Sequence, residues 1–521
     1  MSFKLTYSTM FNPPAEMHER FEAAVARVRA ALGATHPLYI DGVDVVGAGI
    51  IAKHSPIDGA HLGNFATADV AQVRAAVDAA ARAFPTWRAL SPAERVRLSY
   101  RVADLIDERV YDLAAVLSLE VGKNRLEALA EAAEVADFFR GYADEYTRCD
   151  YYDRVLPDDP LTDWRSHNRS VLKPHGVWAV VAPFNFPLAL AAGPTAAALL
   201  TGNTVVAKGA SDTPWAVRLL AELIRDAGYP PGVFNFVAGS GEDVGNALVD
   251  DARIAGITFT GSYRVGMELS RRMAAGPWVR PCITEMGGKN AVIVTANADL
   301  DRAATGIARS AFGLSGQKCS AASRVYVASE VAQDLQDRLV AAAEAIRVGD
   351  PTLREYWLGP VISASAVQKY DDYLRRLVQD GGAIRTGGRR LLDGALASGC
   401  YVAPTVATAP AQHPLYAEEM FLPILMVAEV SGVEHGVALA NASALGLTAG
   451  IYGNQVEVDY FLAHIEAGTV YVNRPQGATT GAWPGYQAFA GWKGSTSTGK
   501  AIGSFYYLPQ YLREQSQTVV E

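Results

Sequence analysis

Gly176-Val-Trp-Ala-Val-Val-Ala-Pro-Phe-Asn-Phe-Pro-Leu-Ala-Leu-Ala-Ala-Gly-Pro-Thr-Ala-Ala-Ala-Leu-Leu-Thr-Gly-Asn-Thr-Val-Val-Ala-Lys208 decides the architecture. From Gly176 to Ala207 there is no charged residue, a length that would span a bilayer. A lipid-facing helix is nevertheless excluded. Pro183, Pro187 and Pro194 each remove a backbone donor, and Asn185 adds a polar amide, so such a helix would be broken repeatedly. The stretch instead predicts a buried strand over Val177–Val181, a tight turn through Pro183–Pro187, a buried helix over Ala189–Leu200 and, after the Gly202-Asn203 turn, a second strand over Thr204–Lys208.

The same rhythm runs outward in both directions. Trp215–Ala227 and Glu242–Val249 read as helices, and Val233–Val237 and Ile254–Thr260 as strands. Strands alternating with helices imply a parallel sheet covered on both faces. Upstream, Ala68–Phe84, Ala93–Leu117 and Arg125–Asp144 are helical in pattern; downstream, Lys289–Val294 opens a second alternating series with helices over Leu300–Phe312 and Val331–Ile346. Glu285–Lys289 is therefore the expected boundary between two α/β domains. A cleft between such domains is a common place for a ligand.

Composition narrows the function classes. The chain has 521 residues, half of them hydrophobic, enough for two or more cores. A net charge of −9 without a Lys/Arg cluster argues against a nucleic-acid partner, which relies on clustered cations. Cys149, Cys282, Cys319 and Cys400 are widely separated and form no Cys-x-x-Cys pair, so neither a disulfide framework nor a metal site is suggested. A reducing, cytoplasmic compartment is the expectation, since Met1–Met10 lacks the apolar segment of a secretory signal.

Two residues carry candidate chemistry. Cys319 lies in Ala311-Phe-Gly-Leu-Ser-Gly-Gln-Lys-Cys-Ser-Ala321, and Glu285, thirty-four residues upstream, in Thr284-Glu-Met-Gly-Gly-Lys-Asn290. A thiol among small residues admits a substrate, and a carboxylate followed by two glycines can swing. Most cysteines, however, merely pack as small hydrophobes. Lys318 is adjacent in sequence to the thiol, but neighbouring side chains need not face the same way, and it is given no role. Gly239-Ser-Gly-Glu-Asp-Val-Gly245, which includes Gly241, follows a strand, yet its last glycine is one residue late for a dinucleotide fingerprint and the acidic residue expected later is missing. A plain strand-to-helix turn explains it as well. Phe259-Thr-Gly-Ser262 puts Gly261 and Ser262 before a helix beginning near Tyr263, where free N–H groups could meet a pyrophosphate.

With Asn185, Lys208, Phe259–Ser262, Glu285–Gly288, Cys319, Glu419-Met-Phe421 and Asn473 in this order, the chain resembles the aldehyde dehydrogenase superfamily from about Pro37 to the C-terminus. The resemblance implies an α/β fold with a Rossmann-type cofactor domain, a catalytic domain, and a β segment that joins copies into homodimers or higher oligomers. The implied division is an N-terminal arm over 1–36, a cofactor domain over 37–145 and 169–285, a catalytic domain over 286–497, and an oligomerisation segment over 146–168 and 498–521. It also implies roles. Cys319 is the nucleophile, Asn185 holds the oxyanion, and Glu285 activates water to release the acid. Lys208 binds the adenosine ribose, Ser262 the pyrophosphate and Glu419 the nicotinamide ribose, with Phe421 beside it. Without the resemblance, Lys208 would read as a strand-end lysine facing solvent. Ser211 stands where many NAD-specific members carry a glutamate; it repels no 2′-phosphate, so NAD is the expected cofactor with NADP also open.

Ser315–Tyr326, Glu285–Val294 and Thr480–Phe489 are most similar to the branch of 1-pyrroline-5-carboxylate dehydrogenases, which oxidise glutamate semialdehyde to glutamate in proline catabolism. That likeness implies a substrate carboxylate held by Ser320 and the N–H groups of Gly481-Ala482, an ammonium facing Glu134, and walls from Phe186 and Phe489. Glu134 alone would read as a solvated helix residue. Departures are Gly209 for a proline, Leu422 for a glycine, and Ala488-Phe-Ala-Gly491 for Pro-Phe-Gly-Gly, with the region from Trp492 also divergent. Leu422 either crowds the nicotinamide pocket or packs outward. Two further functions stay open: an NAD(P)-dependent dehydrogenase for another carboxylate-bearing aldehyde, and a non-catalytic scaffold.

Overall fold

The computed structural model describes residues 4–10, 12–160, 163–475 and 482–521. Val177–Val181 and Thr204–Lys208 are strands around the helix Ala189–Leu200, and every residue of that helix except Leu190 is buried. They form the centre of a seven-stranded sheet in the order Cys282–Glu285, Ile254–Thr260, Val177–Val181, Thr204–Lys208, Phe234–Val237, Leu38–Ile40, Val43–Val45. The first five run parallel and the last two add antiparallel. Chain order reverses at Val177–Val181, so loops leaving it and its neighbour Ile254–Thr260 diverge and leave a crevice at their carboxyl ends.

A second seven-stranded sheet runs Ala383–Thr386, Thr405–Thr408, Ile424–Val430, Ala322–Ala328, Asn290–Val294, Thr448–Tyr452, Thr469–Val472, parallel except at its first pair. Only Met286–Lys289 separates the last strand of the first sheet from the first strand of the second. Another sheet is antiparallel and three-stranded: Leu512–Val520 pairs with Ser166–Pro174, which pairs with Asp153–Leu156. Its middle strand continues six residues past Asn168, and its C-terminal strand starts three residues before Gln515.

Several element boundaries differ from the sequence expectation. The helix expected to stop at Phe84 runs over Val70–Ala89 with Pro85 inside it; the buried Trp87, whose indole N–H donates to the Leu199 carbonyl, anchors the last turn against the backbone bond that proline forfeits. The expected continuous helix over Glu242–Val249 is a π-turn over Gly241–Gly245 followed by a short helix over Asn246–Asp250. Gly241 and Gly245 weaken the regular helix there, and Ser240 caps the wider turn through the Asp243 N–H. Val331–Ile346 shortens to Ala332–Glu344 behind a 3₁₀ turn, and Arg125–Asp144 lengthens to Arg148.

The Arg125–Arg148 helix lies between the sheets' loops and carries unusual burial. Glu127 and Glu131 are buried on one face, as are their partners Lys318 and Lys123. The side chains of Lys123 and Glu131 have no exposed area, and Nζ stands 2.5 Å from Oε2. Removing one partner of such a pair leaves a buried charge uncompensated. Lys123→Met is expected to destabilise the protein by about 3–5 kcal/mol in denaturant unfolding. Arg97→Met, at the exposed pair with Glu94, should leave the midpoint nearly unchanged.

Candidate active site

Two turns of one helix organise the site. Glu127, Glu131 and Glu134 follow at i, i+4 and i+7 and so share a face. Glu131 Oε1 accepts from the N–H groups of Leu188 and Ala189 at 3.0 and 3.1 Å, which fixes the start of the Ala189–Leu200 helix just beyond Asn185. Glu127 accepts from Lys318 Nζ and from the Leu314 N–H, which fixes the loop that ends at Cys319. Lys318 thus points away from the thiol into a structural pair. Asn185 and the thiol loop meet directly: Asn185 Nδ2 donates to the Gln317 carbonyl at 2.9 Å. An amide nitrogen has a second proton to offer.

Asn290, which sequence reasoning did not single out, completes the frame. Its Nδ2 donates to the carbonyls of Cys319 and Ala321, and its Oδ1 accepts from the Thr448 N–H. Gly287 and Gly288 provide close approach as their principal contribution: a Cβ at Gly287 would stand 1.9 Å from Glu419 Oε2, and one at Gly288 2.5 Å from the Cys319 carbonyl.

Two cavities meet at the thiol, and among the described residues Cys319 alone lines both. The larger, about 620 Å³, opens at the crevice of the first sheet, with Ala182 and Asn185 on one strand's loop and Gly261 and Ser262 on the other's. Across it stand Met286, Glu419 and Phe421. Glu419 Oε1 accepts from the Gly288 N–H at 2.9 Å. Phe421 is held at φ 59° with its ring edge-on to Phe184. Leu422 does not line this cavity; it is buried in the second sheet's core with Met420 and Ile424. Its outward packing is the alternative that the structure supports.

The other predicted cofactor residues lie along the same sheet edge, outside this lining. Lys208 is buried at its strand's end and donates to the Gly209 carbonyl. Ser211 Oγ donates to the Gly239 carbonyl, joining two neighbouring loops, and Gly241 opens the π-turn that follows. Sequence reasoning missed Lys369, Asp372, Tyr373 and Arg376, which reach the cavity from the helix Ala364–Gln379. Their spacing is that of any solvated amphipathic face, so the sequence carries no distinguishing signal.

The smaller cavity, about 60 Å³, gathers Glu285, Ser320, Glu134, Phe186, Ala482 and Phe489 around the thiol's other side. Tyr7, another residue the sequence did not flag, forms part of its wall. Gly481, expected here beside Ala482, lies outside the described residues.

Burial governs the charges. It raises the carboxyl of Glu285 to about 8, and among the described residues Oε1 has no hydrogen-bond partner. Burial lifts Glu134 to about 8, opposed by the Tyr7 hydrogen bond, and Glu419 to about 7, opposed by the Gly288 N–H. The Cys319 thiol is pushed well above its ordinary value by burial first, then by Glu285 and Glu419. A thiol, a protonatable carboxyl whose Oε1 has no partner among the described residues, and an amide donor therefore surround one point between two cavities, a set suited to covalent attack on a carbonyl and later hydrolysis.

The aldehyde dehydrogenase family model matches residues 46–516, and the chain belongs to that family. It is 36% identical over 512 residues to 1-pyrroline-5-carboxylate dehydrogenase of Geobacillus thermodenitrificans, with 96% of each chain covered. Among solved structures, it is similar to 1-pyrroline-5-carboxylate dehydrogenase from Thermus with bound NAD, at 35% identity and a TM-score of 0.92, over 100% of this chain and 99% of that one. It also resembles proline utilization A from Bdellovibrio bacteriovorus, at 34% identity and a TM-score of 0.90; 96% of this chain is covered, but it spans about half, 51%, of that longer one.

The thiol's environment sets its reactivity without nucleotide. Alkylation of Cys319 by iodoacetamide, followed by mass spectrometry, should be slow at pH 7 and still rising above pH 9. Glu285→Gln should move the curve to lower pH, because it removes a carboxylate that disfavours the neighbouring thiolate.

Proposed function

We propose that the chain oxidises an aldehyde to a carboxylate with NAD, through a thioester on Cys319, and that the aldehyde is L-glutamate 5-semialdehyde, formed from 1-pyrroline-5-carboxylate and converted to L-glutamate. The observation that carries this is the thiol at the junction of a cleft and a polar chamber. The names of the relatives support the substrate, and the likeness to proline utilization A supports a place in proline catabolism.

The cleft's residues suit a dinucleotide. Ser262 caps the helix Tyr263–Ala274, whose N-terminal N–H groups and dipole favour a pyrophosphate. Glu419 would accept from a ribose hydroxyl with Phe421 beside it, while Lys208, Ser211 and the Gly239–Gly241 turn flank the adenosine end. Ser211 presents no charge against a 2′-phosphate, so NAD is preferred without NADP being shut out. When bound, the nicotinamide supplies the two-electron acceptor.

The protein's own groups do the rest. Deprotonated Sγ of Cys319 attacks the carbonyl carbon, and the Asn185 amide and the Cys319 N–H receive the oxyanion; losing one such donor costs roughly 10²–10³ in rate. The oxidised acyl group stays on Sγ as a thioester. Glu285 then takes a proton from water as its oxygen attacks the thioester carbon, and the thiolate leaves. In the small chamber Ser320 and the Ala482 segment would hold the substrate's carboxylate, Glu134 its ammonium, and Phe186 and Phe489 its methylenes.

We assign 37–145 with 169–285 to cofactor binding and 286–497 to catalysis, with 1–36 as an N-terminal arm. The segments 146–168 and 498–521 would join copies into a homo-oligomer through the sheet of Asp153–Leu156, Ser166–Pro174 and Leu512–Val520, whose middle strand also takes in 169–174. The exposed residues of its edge strands Leu512–Val520 and Asp153–Leu156 support that role. The four cysteines are free, and no helix among the described residues is long and apolar enough to cross a membrane; a cytoplasmic setting is our proposal.

In an aldehyde panel, glutamate semialdehyde should exceed pentanal in kcat/KM by at least about tenfold, roughly 1.4 kcal/mol; equal efficiencies would favour another aldehyde. Cys319→Ala should abolish turnover, and a variant that retains full activity would remove the nucleophile assignment. Glu285→Gln should release about one equivalent of reduced cofactor in a burst and then stall. In the unmodified protein, thioester hydrolysis should accelerate as pH rises through about 8, where the buried Glu285 carboxyl loses its proton.

A further inference from the structure

The N-terminal arm enters the substrate chamber. Tyr7 is 6% exposed, and its hydroxyl donates to Glu134 Oε2 at 2.9 Å. Its ring stands edge-on to Phe186 and to Trp483, with centroids at 6.3 and 5.3 Å. The arm is pinned on the same helix face: Lys4 Nζ lies 2.8 Å from Asp137 Oδ2, which also accepts from Trp483 Nε1. Ser8 Oγ accepts from Arg474 Nη2 at 2.9 Å, and Met10 is buried. Thus residues more than a hundred positions apart close one wall of a cavity that Cys319 and Glu285 also line.

We propose that Tyr7 is a specificity-determining residue, which with Glu134 forms the subsite for the amino group of an amino-acid aldehyde; this rests on the substrate reading given above. A phenol donates one proton and keeps acceptor lone pairs. Its proton goes to Oε2 of Glu134, so Oε1 and the phenol oxygen remain as neighbouring acceptors, and an ammonium needs several. The hydroxyl also orients the carboxyl group, whose ionised form an adjacent ammonium favours and which has no other hydrogen-bond partner among the described residues. An aldehyde with no amino group gains nothing from either acceptor and leaves the pair intact, so Tyr7 contributes to discrimination between the two.

The test compares glutamate semialdehyde with 5-oxopentanoate, the same chain without the amino group. The ratio of their kcat/KM values is measured in the unmodified protein, in Tyr7→Phe, in Glu134→Gln and in the double variant. NAD binding, read by quenching of protein fluorescence, reports folding. Tyr7→Phe is expected to lower the ratio about tenfold, mainly through KM for the amino aldehyde. In the Glu134→Gln background it should lower the ratio less than twofold further, because the two groups act as one subsite. A ratio unchanged in Tyr7→Phe, or an equal further loss in the double variant, overturns the assignment of Tyr7 while leaving the substrate reading intact. No preference for the amino aldehyde in the unmodified protein overturns both. Should Tyr7→Phe fail to bind NAD, a Glu134→Gln ratio equal to that of the unmodified protein overturns the subsite, and a tenfold lower one supports it.

Discussion

Burying two carboxylates one helical turn apart imposes the constraint from which the site follows. A charge taken out of water must be paired and its remaining lone pairs filled. Glu131 meets this need with Lys123 and two N–H groups beyond Asn185; Glu127 meets it with Lys318 and the Leu314 N–H. The loops satisfied in this way come from different sheets. The same electrostatic requirement that would make either glutamate costly alone therefore brings the amide and the thiol loop together. Asn185 donating to Gln317 closes the arrangement.

The topology supplies the space. Reversal of strand order beside Val177–Val181 leaves a crevice, and Met286–Lys289 carries the chain from that crevice into the second sheet. Gly316, at φ +68°, lets the thiol loop lie against the Leu422 carbonyl, which a Cβ there would meet at 2.4 Å. Leu422 can accordingly replace a smaller residue without filling the cleft, since its side chain turns into the second core. Tyr7 shows the same logic from the other end of the chain, where an edge-on aromatic cluster seats an N-terminal turn against Glu134.

The sequence by itself determined the alternating α/β pattern, because hydrophobic periodicity and proline placement are local properties; Val177–Val181, Ala189–Leu200 and Thr204–Lys208 were legible to the residue. Cys319 and Glu285 were legible as candidates, because reactive side chains beside glycines stand out, whereas Asn185, in the proline-bounded turn Pro183–Pro187, took its role from the family resemblance. The helix that continues through Pro85 was not, because the packing of Trp87 outweighs local propensity there, and the π-turn at Gly241–Gly245 was not, because glycines weaken a regular helix without specifying the turn that replaces it. Only the tertiary structure decided that Lys318 serves Glu127 rather than the thiol, that Asn290 holds the Cys319 carbonyl, and that Tyr7 reaches Glu134 across 127 positions. Those contacts join residues distant in the chain. Each depends on how separate elements dock, and docking leaves no period or spacing in the sequence to read.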